Sequence, residues 1–216
     1  MRSKLMIKAS LAVLLWLAAI VVAILWLDRP WAMAAHGMGW VRIPLFRDLT
    51  HLVDPIAALA LLGLAVLGGM ALLGIRLGRW GRLLLALCLA VALALLAKTE
   101  LKYLFGRTWP ETWVGGNPSW IRDQVFTFDF LHGGAGWESF PSGHATLMAA
   151  PMAVLWRHWP RLIWVWLTPV LLVGGGLLAC DYHWVSDLLA GAGLGVLCGV
   201  GATGLVYGGA LQGGRS

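Results

Sequence analysis

Charge is scarce in this sequence. Of 216 residues, 12% are charged and 60% are hydrophobic. Soluble domains carry about 25% charged and about 45–50% apolar residues. A mean hydropathy of +0.79 agrees with the shortage. This excludes a disordered chain, a nucleic-acid-binding domain and an ordinary cytosolic enzyme. Cysteine is scarce as well. Cys88, Cys180 and Cys198 lie apart in apolar runs and form no CxxC pair, so neither a zinc site nor a disulfide framework is expected. They read as small buried hydrophobes. HExxH, DxD and clustered Cys/His sets are absent, so no metal and no cofactor is expected.

What is present is apolar sequence in long runs. One membrane span needs about 20 apolar residues. The runs predict six spans, roughly Ala9–Leu27, Pro55–Ile75, Leu83–Ala97 (extending to about Leu104), Pro141–Trp156, Leu162–Ala179 and Val185–Val206. The expected fold is all-α, a polytopic bundle of six transmembrane helices, with residues 1–216 as one domain. The first run is too long for a signal peptide, and Leu25-Trp26-Leu27-Asp28 is a poor cleavage site. Small residues in the last run (Gly191, Gly193, Gly195, Gly199) allow close helix packing.

Between these spans the charges sort into two sets. Arg2, Lys4, Lys8, Arg76, Arg79, Arg82, Arg157, Arg161 and Arg215 share one side with no acid. The other side holds seven cations and all ten acids. Cations mark the cytoplasmic side, which puts both termini there. The net charge of +6 is therefore a topology signal and implies no nucleic-acid partner. Tryptophans near span ends (Trp26, Trp80, Trp156, Trp159, Trp184) fit an aromatic belt. The 28–54 connection mixes apolar and charged residues. It either lies flat on the outer membrane surface or packs on the bundle as an ordinary loop.

Three stretches on the outer side carry chemistry. In the first, Lys98 and Lys102 lie four apart at a helix end, on one face. Anion binding and lysine snorkelling both account for them. The second, Pro141-Ser142-Gly143-His144, precedes an apolar run. Proline and serine start helices, and a helix start offers free N–H groups to a phosphate. The third places His183 four residues before Asp187. An aspartate that accepts one ring N–H fixes the tautomer and leaves the other nitrogen as nucleophile or base. Two histidines, a helix-start serine and a cation cluster on one side suit phosphoryl transfer without a metal.

These residues resemble the membrane-bound type 2 phosphatidic acid phosphatase (PAP2) family, which shares its scaffold with vanadium haloperoxidases. The family carries KxxxxxxRP, PSGH and SRxxxxxHxxxD motifs and six membrane helices with an outer active site. The resemblance implies that His183 is the nucleophile forming a phosphohistidine, Asp187 its orienting partner and His144 the general acid. It implies phosphate contacts from Lys102, Ser142 and the Gly143 amide. Two family arginines are missing: Trp109 and Leu177 stand in their places, and Gly176 replaces the serine of the third motif. Arg107, Arg122 and Lys98 are the available substitute cations. The long 105–140 loop, with Trp109, Trp113, Trp120 and Trp137, reads as a lid over the site that touches lipid headgroups. His132 and Glu138 are further candidates within it.

The resulting expectation is an integral phosphatase of a bacterial inner membrane, facing the periplasm. It would cleave a phosphomonoester or pyrophosphate on a membrane lipid, such as undecaprenyl diphosphate, phosphatidylglycerol phosphate, phosphatidic acid or lipid A. A lipid phosphotransferase, a non-catalytic lipid-phosphate binder and an intramembrane serine protease using Ser142 are the competing readings. The sequence is silent on oligomeric state.

Overall fold

A computed structural model describes residues 2–113 and 115–208, and no strand longer than an isolated bridge forms among them. Helix α1 (Arg2–Val22) runs through a π-helical turn (Ala23–Leu27) into α2 (Asp28–Met38). Then come α3 (Pro44–Thr50), α4 (Asp54–Leu72), α5 (Arg79–Phe105) and the short α6 (Trp120–Asp123). The chain ends with α7 (Gly143–His158), α8 (Ile163–Ala179) and α9 (Val185–Gly208).

Among the described residues, five segments are long and apolar enough to cross a membrane: Met6–Met38, Pro44–Leu72, Arg79–Phe105, Pro160–Ala179 and Val185–Gly208. The fourth expected span is α7, and its 16 residues reach only about 24 Å. Ten of them are buried, and α7 packs against α5, α8 and α9. A helix walled by protein needs no bilayer-length apolar surface. It still joins the two ends of the bundle. At one end the Ser142 N–H donates to the Asp187 carbonyl at 3.1 Å. At the other, His158 lies 5.0 Å from Tyr207. Arg82 stacks over Tyr207 and Trp80 over Trp159 at that second end, which gathers part of the acid-free cation set. Arg215 lies outside the described residues, as do the side chains of Arg2 and Lys4.

The first span extends well past the Leu27 expected from sequence. Pro30 removes a donor and would clash with the carbonyl four residues back. The π-turn just before it widens the helix there and absorbs the misfit. The helix therefore continues, and Asp28 is carried into the interior, 1% exposed.

Glycines set the tightest packing. Gly191, Gly195 and Gly199 lie four apart on one face of α9, where a Cβ would collide with the Ser142, Thr146 and Ala150 carbonyls of the α7 strip. Of the four glycines expected to pack closely, these three do so against α7, and Gly193 lies under the Trp16 ring of α1. Within the 28–54 connection, the α3 stretch packs on the bundle. α3 lies against α8, with the Phe46 carbonyl and the Leu49 and Thr50 side chains over Gly176. A Cβ at 176 would strike that carbonyl, which explains physically why serine is missing there.

Candidate active site

The ends of α4, α5, α7 and the α8–α9 turn enclose a cavity of about 580 Å³. Lys98, Lys102, Gly143, His144 and His183 line it, along with Asp54 and the aromatics Trp109, Trp113 and Tyr182. The two lysines come from the last turns of α5, four residues apart as their spacing requires. Gly143 opens α7, and the Lys98 Nζ would lie 3.6 Å from a Cβ placed on it. The close approach of a lysine to a helix start needs the missing side chain. His144 follows on the first turn, its ring 6.5 Å from that of His183.

His183 is fixed from behind. Its Nδ1 lies 3.2 Å from Asp187 Oδ2, the i, i+4 pair read from sequence. The same oxygen accepts the Ser139 hydroxyl at 2.5 Å and the Trp184 N–H at 3.1 Å. With Nδ1 engaged, Nε2 is the nitrogen free to react. Burial pushes the imidazole below the usual histidine range, opposed by the bond to Asp187. A neutral ring is the form that acts as a nucleophile. Trp109 packs on its face at 5.0 Å, and Lys102 Nζ sits 5.5 Å over Trp109 while donating to the Glu138 carbonyl at 2.6 Å.

Three expected phosphate contacts lie elsewhere. Arg107 is 1% exposed and does not line the cavity. Its NH1 donates to Asp187 Oδ1 at 2.5 Å and Ser186 Oγ at 2.6 Å, and its NH2 to Asp28 Oδ2 at 2.7 Å. Phe126, Phe128, Phe140 and Trp184 ring the guanidinium at 4.6–5.9 Å. A cation so enclosed is committed to the two carboxylates and reaches no phosphate in the cavity. Arg122 is half exposed, pairs with Asp123 at 2.8 Å and donates to the Gly116 and Asn117 carbonyls. It too lies off the cavity wall. Ser142 is fully buried; its hydroxyl accepts the Ala145 N–H as the cap of α7. It shapes the helix start, and Gly143 and His144 are the parts of that motif that line the cavity.

The 105–140 loop is a folded cap rather than a simple flap. Backbone bonds from Thr108 to Thr127, Asp129 to Gly106 and Ser139 to Arg107 close it onto the Arg107 stretch. Trp109 and Trp113 reach the cavity, whereas His132 stacks on Trp137 at 4.3 Å and leaves the cavity lining to others.

Sequence reasoning missed Asp28, Ser139 and Ser186. Asp28 had one usable signal, an acid just before proline at the end of a long apolar helix, where an unpaired charge is costly. Among the described residues, no group of three or more His, Cys, Asp or Glu side chains is arranged to hold a metal ion. The three cysteines are buried and unbridged.

A family model described as the PAP2 superfamily matches residues 83–208. No curated protein and no solved structure matches the chain.

Proposed function

The chain belongs to the PAP2 superfamily, and we propose that it is a membrane lipid phosphatase working through a phosphohistidine at His183. The observation that carries this reading is His183 held through Nδ1 by Asp187, facing His144 across a cavity lined by two lysines.

Lys98, Lys102 and the Gly143 N–H hold the non-bridging phosphate oxygens and offset the charge that builds in the transition state. Nε2 of His183 attacks phosphorus, and the bond to the leaving oxygen breaks. His144 gives its proton to that oxygen. Asp187 stabilises the positive charge that the ring acquires, the role a triad carboxylate plays. In the second half, His144 takes a proton from water, the hydroxide attacks phosphorus and the N–P bond breaks. Inorganic phosphate leaves and both histidines return to their starting forms. No step uses a metal.

The substrate reading rests on setting. The site lies at the ends of helices long and apolar enough to cross a membrane, and apolar Val53, Ala57, Leu147 and Leu177 complete the cavity wall. A phosphate carried on a lipid tail at the outer leaflet suits both. The cation-rich opposite end supports a cytoplasmic assignment for that end, and an external one for the site.

The test is phosphate release in detergent with EDTA present, from a panel of lipid phosphates and lipid diphosphates, comparing wild type with His183→Ala. Release by the wild type that disappears in the variant is expected. Release that persists in His183→Ala would remove His183 as nucleophile. Binding without any release would favour a lipid-phosphate binder. Transfer of label to an added lipid alcohol in place of water would indicate a phosphotransferase.

A further inference from the structure

Asp28 lies outside residues 83–208, the stretch matched by the family model, yet it reaches the centre of the site. Its Oδ1 accepts the Ser186 N–H at 2.9 Å; its Oδ2 accepts the Ser186 hydroxyl at 2.5 Å and Arg107 NH2 at 2.7 Å. Ser186 stands next to Asp187 in the first turn of α9. Asp28 thus ties down the backbone beside Asp187 and one arm of the guanidinium that grips Asp187. Asp28, Arg107, Ser186 and Asp187 are each at most 1% exposed.

We propose that Asp28 is a positioning residue for phosphoryl transfer, acting through Arg107 to fix Asp187 and to keep a net negative charge behind His183. This rests on the phosphohistidine reading of the site.

The argument is one of charge and geometry. Arg107 alone would neutralise Asp187 and draw its electrons away from His183. A second carboxylate on the other arm of Arg107 offsets that pull. Two carboxylates and one guanidinium leave one negative charge behind the ring. When Nε2 attacks phosphorus, the imidazole gains positive charge while Nδ1 keeps its proton. A preorganised negative cluster stabilises that state without reorganising. Ionised hydrogen bonds at these lengths are the strong kind, and the fork of Arg107 is rigid. The chain builds the device from the π-turn and Pro30, which carry Asp28 inward from the first span.

A purely structural strut would make the same contacts, so the test needs a readout that a strut does not move. Other charged or titratable groups facing His183 are Lys102 from α5, His144 from α7 and Asp187 from α9. The Asp28→Asn substitution alters none of these three groups chemically, so a moved limb reports the charge and placement that Asp28 supplies. Wild type, Asp28→Asn and His183→Ala are purified in detergent. Phosphate release is measured across pH on the panel lipid with the highest wild-type turnover, per molecule of monodisperse protein. Asp28→Asn is expected to lower kcat about 10- to 100-fold with KM changed less than about threefold. Loss of a nearby negative charge disfavours the imidazolium, so the acid limb of kcat/KM should move to lower pH, by about half a unit to one unit.

Unchanged kcat and an unmoved limb, with only a lower melting temperature, would overturn the proposal. Release that persists in His183→Ala, or its absence from the wild type on every lipid, would overturn the underlying phosphohistidine reading instead. If Asp28→Asn does not fold, Asp28→Asn/Arg107→Gln replaces it, because that double variant removes one buried acid together with the cation and leaves an amide at 107 to donate to Asp187. It restores the same net charge, so its limb should stay at the wild-type pH while kcat falls about tenfold. A wild-type kcat in the double variant would overturn the positioning role.

Discussion

Trp109 lies against His183, ring centroids 5.0 Å apart, at the position where the family motif has arginine. An aromatic wall has replaced a cation, and the neighbouring Lys102 sits over the same indole. The His183 ring is therefore held by packing at a position where the family motif carries a charge. An aromatic pair is worth about 0.5–1.5 kcal/mol. Trp109→Ala should therefore lower kcat about three- to tenfold, and Trp109→Phe should retain most of it. Steady-state kinetics of the two variants checks this. Equal activity in Trp109→Ala and wild type would remove the wall from the account.

With both family arginines absent, the proposed mechanism leaves phosphate affinity to Lys98 and Lys102, which line the cavity. A hydrogen bond from a charged group contributes about 1.5–3 kcal/mol. Lys98→Met and Lys102→Met should each weaken inhibition by inorganic phosphate about 10- to 100-fold. Arg122→Met should leave that inhibition constant where it is, since Arg122 binds Asp123 and lies off the cavity. Inhibition constants for the three variants test the assignment.

Arg107 should report on stability before it reports on affinity. Removing it leaves Asp28 and Asp187 buried without their cation, which costs about 3–5 kcal/mol. Arg107→Met is therefore expected to melt well below wild type, or to fail to fold. A thermal melt in detergent decides; a variant with unchanged melting and weakened phosphate inhibition would return Arg107 to the phosphate.

The contrast between these residues shows what the sequence could reveal. The His183–Asp187 pair was legible because four residues is one helical turn. The start of α7 was legible because proline, serine and glycine before an apolar run mark a helix beginning. Most helices were legible for the same local reason. Asp28 and Arg107 were not, because their partners are 79 to 158 residues away. An arginine near a phosphate motif reads as a phosphate ligand until a buried carboxylate is found on each arm. The extended first helix was hidden by Pro30, whose penalty is absorbed by a π-turn that composition does not announce. The apolar run of α7 reads as an ordinary span because it does not say whether protein or lipid covers it.

A second buried acid gives a pH prediction. Asp181 is 2% exposed, and its Oδ1 has no hydrogen-bond partner among the described residues. Its Oδ2 lies 3.6 Å from His36 Nδ1, which also faces Glu111 at 3.3 Å. Burial pushes the Asp181 carboxyl up to about 7, with His36 opposing. The folded state therefore holds a proton that the unfolded chain releases near its ordinary value of 3.8. This favours folding at low pH and is lost as pH rises toward 7. Asp181→Asn should raise the melting temperature at pH 8 by about 2–4 °C or more, with a smaller gain at pH 5. A gain that is equal at both pH values would contradict the raised value.

The central claim is a covalent phosphoryl group on His183. Rapid quenching of the enzyme with radiolabelled lipid phosphate, followed by peptide mapping, tests it directly. The account expects acid-labile, base-stable label on the peptide containing His183, formed within one turnover and absent from His183→Ala. Label on another residue, or turnover at full rate with no labelled protein at any quench time, would contradict it.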